Sequence, residues 1–97
     1  DGNGNRVAAM LFGPKSATLV AGYNKIVTNL EEAQTRLRQV AAPANAVRVD
    51  TATPCKVLGA CNDCHGDGRI CCDYVVMSQQ RIANRVRVIL VGEQLGY

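Results

Sequence analysis

The stretch VRVILV (86–91) decides how the chain folds. Arg87 is its only polar residue, and the run is otherwise Val, Ile and Leu. So continuous an apolar run reads as a strand buried on both faces, as in a parallel sheet covered by helices on either side. SATLVAGY (16–23), bounded by Pro14 and by Gly22 with Asn24, reads as a second buried strand, and CDYVVM (72–77) as a third.

The helices fall around these strands. RVAAMLF (6–12) is Ala-rich and is stopped by Gly13-Pro14, which predicts a short helix. Thr28-Asn29-Leu30-Glu31 fits a capping box, in which the Thr hydroxyl and the Glu carboxylate each meet a free backbone N–H. Leu30, Ala33, Leu37, Val40, Ala41 and Ala44 then recur at three- and four-residue spacing and form one apolar stripe. Glu32 and Arg36 stand four apart on the opposite face, in the favourable order for an ion pair. Pro43 is expected to end or kink this helix, with a further helical turn over PANAVRV (43–49). The order helix, strand, helix, cysteine loop, strand, strand predicts one α/β domain over residues 1–97.

Composition narrows the function. With Phe12, Tyr23, Tyr74 and Tyr97 as the only aromatics, the core is expected to be Val, Leu, Ile and Ala. The net charge is only +3, and no aromatics interleave with Arg81, Arg85 and Arg87 as stacking platforms, which argues against nucleic acid. There is no apolar run of about 18 residues to span a membrane. The opening DGNGN (1–5) is turn chemistry rather than an export signal, and no initiating Met precedes it, so an N-terminal portion is expected to be missing. Its Gly2-x-Gly4 is too short for a dinucleotide fingerprint. Five clustered cysteines without an export signal imply a reducing, cytoplasmic setting.

The chemistry is concentrated in CKVLGACNDCHGDGRICC (55–72), which holds all five cysteines. Residues 50–72 carry few apolar anchors and several turn formers, so a long loop is expected, one that something must order. The pair Cys61-x2-Cys64 is the unit shared by zinc and iron–sulfur sites, and Cys55, Cys61, Cys64 and Cys71 would complete a four-thiolate shell. A metal could offset the ordering cost of about 1–2 kcal/mol per residue. Unligated thiols, disulfides with one cysteine left over, and a catalytic thiol are the alternatives. Cys72 is expected to pack in the following strand, and His65 to be a surface loop residue, as are the charges of Asp63 and Asp67. A second candidate site is the turn after the first strand. Asn24 and Lys25 would project there, where ligands of open α/β sheets bind, unless Asn24 merely makes a left-handed turn and Lys25 lies on the surface.

NRVAAMLFGPK (5–15), GYNKIV (22–27), AAPANAVR (41–48), TPCKVLGACNDCHGDGRIC (53–71) and VILVGEQLGY (88–97) together resemble the C-terminal half of the LUD domain proteins, the lactate-utilisation group. The resemblance implies a three-layer α/β fold with a mostly parallel sheet, like the NagB/RpiA/CoA-transferase group. It implies a cytoplasmic protein linked to oxidation of lactate, working alongside iron–sulfur oxidoreductase partner proteins. Cys55, Cys61, Cys64 and Cys71 match its motif positions, whereas His65 and Cys72 do not. Three functions follow as expectations. The chain is a metal-binding part, iron–sulfur or zinc, of an oxidoreductase system. Alternatively it is a CoA-transferase-like domain that binds a small ligand and has purely structural cysteines. In the third reading it is a fragment with no activity of its own. Since strands without their neighbours leave open sheet edges, a homo-oligomer is also expected.

Overall fold

A computed structural model describes residues 5–97, with side chains from Val7 onward. The turn expected at 1–5 and the Gly2-x-Gly4 motif lie outside the described residues.

The elements, in chain order, are α1 (Asn5–Leu11), β1 (Ala17–Gly22), a 3-10 turn (Tyr23–Lys25), α2 (Leu30–Arg36), a π turn (Leu37–Ala41), α3 (Ala42–Val49), α4 (Pro54–Leu58) and β2 (Val86–Val91). β1 and β2 pair in parallel, with Ala17 opposite Val86 and Gly22 opposite Val91. Both strands therefore end on the same side of the sheet. The architecture is α/β with a two-stranded parallel sheet.

The expected burial of both sheet faces is not found. Val88, Ile89 and Leu90 are more than half exposed, and Val20 is 61% exposed. The apolar run keeps the composition of a covered strand, but none of the described residues forms the covering layer. CDYVVM (72–77) is not a strand either; it is irregular and mostly exposed. Side chains that favour the pleat do not make a strand unless another strand supplies the ladder.

The helical half differs from expectation in instructive ways. The α2 cap is shifted by one residue. Asn29 is the N-cap, its Oδ1 accepting from the Glu32 N–H at 2.8 Å, and Glu32 reaches back to the Thr28 N–H at 2.7 Å. The two hydrogen bonds from Thr28 hold the Glu32 carboxyl below its usual pKa. Glu32 is thus spent on the cap and makes no pair with Arg36, whose Nε donates instead to the Asn24 carbonyl at 2.9 Å. Pro43 neither ends nor breaks the helix. It is the second residue of α3, the further helical segment expected over 43–49, and a π turn precedes it. α3 ends in a Schellman motif. Asp50 takes a left-handed φ of 58°, its N–H meets the Val47 carbonyl, and the Thr51 N–H meets the Ala46 carbonyl.

The loop expected over 50–72 contains a helical turn, α4. Pro54 opens it where no N–H is needed, and Gly59 closes it at a φ of +72°. α4 packs on α3, and their contact forms the small interior of the chain. Ala46 is 1% exposed, Cys55 6% and Thr53 8%.

Candidate functional site

The cysteine segment is tied to the helices at its start. In the π turn the Ala42 N–H bonds to the Leu37 carbonyl, five residues back. The next donor in that register would be Pro43, which has no N–H, so the Arg38 carbonyl lacks its helical partner. The Cys61 N–H takes that acceptor at 3.1 Å. The proline that seemed to stop the helix therefore creates the docking point of the loop.

Beyond Cys61 the chain closes around a guanidinium. Arg69 donates through Nη1 to the Cys64 carbonyl at 2.5 Å and to Asp63 Oδ1 at 2.9 Å, and through Nε to the Cys71 carbonyl at 3.0 Å. The hydrogen bond to Asp63 holds the Arg69 pKa above its ordinary value; burial opposes it, and the charges of Cys71, Asp63 and Cys64 add to the rise. Asp63 is in turn held below the usual carboxylate range by that same hydrogen bond and charge. A turn from Gly66 to Arg69 completes the ring. Gly68 lies so close to the backbone of Ala52 that a Cβ would stand 2.6 Å from its carbonyl oxygen.

The thiols are individually placed. Cys55 is buried in α4, 3.4 Å from the Thr53 hydroxyl, which also meets Thr51 Oγ1 at 3.1 Å. Cys61, Cys64 and Cys71 are half-buried, and Cys61 Sγ accepts from the Asp63 N–H at 3.4 Å. Cys72 is exposed, contrary to its expected role in strand packing, because no strand forms there. His65 is exposed, as expected of a surface residue. Asp63, expected to be solvated, is ion-paired with Arg69. Sequence reasoning missed Arg69, although a lone arginine inside a cysteine-rich stretch is a readable signal.

The donor chemistry of the four thiols suits zinc or an iron–sulfur cluster, but their arrangement does not. Among the described residues no three Cys, His, Asp or Glu side chains gather where they could share a metal ion. As arranged, the set does not fit a metal, and the loop is ordered by hydrogen bonds to Arg69, to the Arg38 carbonyl and around Thr53.

Asn24 and Lys25 lie at the carboxyl ends of the strands, in the 3-10 turn after β1. Asn24 is not left-handed. Its Oδ1 accepts from the Leu95 N–H at 3.2 Å and its Nδ2 donates to the Gly96 carbonyl at 3.0 Å. Lys25 donates to the Tyr97 carbonyl. Burial and the neighbouring Arg36 charge lower the Lys25 pKa. Elsewhere, a cavity of about 440 Å³ opens between α1, α2, α3 and residues 70–77, with Leu30, Leu37, Tyr74 and Cys71 on its walls.

No helix among the described residues is long and apolar enough to cross a membrane. No curated protein and no solved structure matches the chain. The LUD domain family model matches residues 1–91, almost the whole of this chain, and the chain belongs to that family.

Proposed function

We propose that this chain is a thiol-bearing part of a lactate-utilisation-type protein serving a cytoplasmic oxidoreductase system with iron–sulfur partner proteins. Cys55, Cys61, Cys64 and Cys71 are the candidate ligands, for zinc or an iron–sulfur cluster. The observation that carries the reading is the closure of the segment around Arg69. One guanidinium brings the backbones of Cys64 and Cys71 together by donating to both main-chain carbonyls, so the two cysteines are held on one ring of chain. The thiols stand apart in the present arrangement, so the site would form on metal uptake. Metal content and visible absorption of anaerobically prepared protein test it. One metal centre per chain, lost in Cys61→Ser and Cys64→Ser but kept in Cys72→Ser, is the expected result. Protein that stays metal-free in metal-replete, reducing buffer contradicts it.

A second reading is favoured by the common end of the two parallel strands. The bare sheet faces suit a pair of strands belonging to a larger three-layer fold of the NagB/RpiA/CoA-transferase kind, completed by further chain or by a second copy. Small ligands of such sheets bind beyond the carboxyl ends of the strands, where Asn24 and Lys25 lie. Thermal-shift screening with small carboxylates and nucleotides tests this reading, and no stabilisation by any of them argues against it.

A further inference from the structure

We infer, resting on the strand-end reading above, that Asn24, Lys25 and Arg36 form a site for a small oxyanion, held shut by the chain's own residues 94–97. Each residue of the 3-10 turn holds part of that tail. Tyr23 OH accepts from Gln94 Nε2 at 3.2 Å, Asn24 takes the Leu95 N–H and the Gly96 carbonyl, and Lys25 takes the Tyr97 carbonyl. The tail crosses the end of β1 at Gly22, where an added Cβ would stand 2.5 Å from the Glu93 oxygen and the Leu95 nitrogen.

Charge identifies the ligand class. Lys25 lies near enough to Arg36 for the two like charges to act on one another. Among the described residues neither cation is paired with an Asp or Glu; the ion pairs there are Lys56 with Asp50 and Arg69 with Asp63. Arg36 donates instead to the neutral main-chain carbonyl of Asn24, and Lys25 to the Tyr97 main-chain oxygen. An oxyanion accepting from the same donors would form charge-assisted hydrogen bonds, which are stronger than those to a carbonyl. Residues 95–97 occupy the same donors as that ligand, and the two compete. Binding of a carboxylate or phosphate group to Lys25 and the Asn24 amide must release Gly96 and Tyr97, so the closed strap lowers the apparent affinity by the fraction of time it is shut.

The test is an NMR titration of the full chain with acetate and, separately, with inorganic phosphate at constant ionic strength. Saturable shifts of the Leu95 and Gly96 amides, with faster exchange of the Leu95 amide as the ligand fills, are expected. The probe that saturates at the lower concentration assigns carboxylate or phosphate chemistry. Lys25→Met is expected to weaken binding at least about tenfold, the loss of one hydrogen bond to a charged donor. Asn24→Asp places a carboxylate beside Lys25 and removes the donor to Gly96, so it is expected to abolish binding and leave the Gly96 end of the tail loose. Anion binding that leaves Leu95 and Gly96 unmoved, or that survives Lys25→Met, overturns the inference while the strand-end reading stands. No saturable response to either anion also overturns it. The strand-end reading itself falls only if the wider ligand screen is silent as well.

Discussion

From α3 to Ile70 the chain makes its own interior, whereas along β1 and β2 it makes almost none. In the first region Ala46 and Cys55 are buried between α3 and α4, and the loop beyond them folds back on Ala52, the Arg38 carbonyl and its own arginine. In the second, two strands as apolar as any core pair with each other and leave Val20, Val88, Ile89 and Leu90 exposed, tied by residues 95 and 96 at one end and by Arg85 to the Leu11 carbonyl at the other. One region is organised by polar contacts at short range. The other has hydrophobic surface awaiting a layer to cover it. The cysteine segment can therefore stay folded while the sheet depends on what packs against it, and the two can be tested separately.

The largest effects should come from the two crowded glycines. Gly22→Ala forces a Cβ into the tail backbone and Gly68→Ala forces one into Ala52, each expected to destabilise by about 1–3 kcal/mol. Their consequences should separate. Gly22→Ala should raise hydrogen exchange at Leu95 and leave thiol reactivity unchanged, and Gly68→Ala should do the reverse. If either variant moves both readouts, the two regions are coupled and the contrast fails.

Arg69→Ala comes next. It strips a partner from Asp63 and from the Cys64 and Cys71 carbonyls, so alkylation of Cys64 and Cys71 should speed up markedly while β1–β2 amide protection is retained. Arg69→Lys should restore little, since one ammonium cannot reproduce the planar fork that reaches three oxygens. Unchanged alkylation rates in Arg69→Ala would show that the ring does not order the loop. Pro43→Ala is a gentler probe. The new N–H competes for the Arg38 carbonyl, and exchange of the Cys61 amide should rise about fivefold, the value of one ordinary hydrogen bond.

The smallest effect is that of pH. Asp63, Asp50 and Glu32 all titrate below their ordinary values in the folded chain, each through hydrogen bonds that favour the carboxylate. Their stabilisation is present above the unfolded carboxylate range near about 4 and is lost as pH falls through the lower folded values. Denaturation midpoints should be flat from neutral pH to about 5 and decline below about 4. Asp63→Asn should shrink that decline without touching the strand-end tail.

These contrasts also show what the sequence reveals. VRVILV and SATLVAGY announce their strands because apolar runs of that length have few other uses, and the parallel pairing follows from the helices between them. The cap at Asn29 lies one residue from the expected box because Thr28 and Asn29 can both cap, and the choice depends on which N–H Glu32 reaches. CDYVVM carries strand residues without a strand, since pairing is a property of neighbours. Pro54 and Gly59 did mark α4, as an opening proline and a closing glycine, but the density of turn formers obscured them. The cysteine spacing gives the candidate set of four. It does not give the carbonyl freed by Pro43, because Arg38 and Cys61 stand far apart in sequence, nor the arginine at the centre of the loop, because its three acceptors depend on how the local turns close.

On the proposed reading a metal would draw Cys55, Cys61, Cys64 and Cys71 together from the separate places they hold in the folded loop. Anaerobic titration of the reduced chain with cobalt(II), read by its thiolate absorption, tests this most directly. The account predicts saturation at one ion per chain with full intensity in Cys72→Ser and loss of the band in Cys61→Ser. A titration without a saturating thiolate band, or one that survives Cys61→Ser, would contradict it.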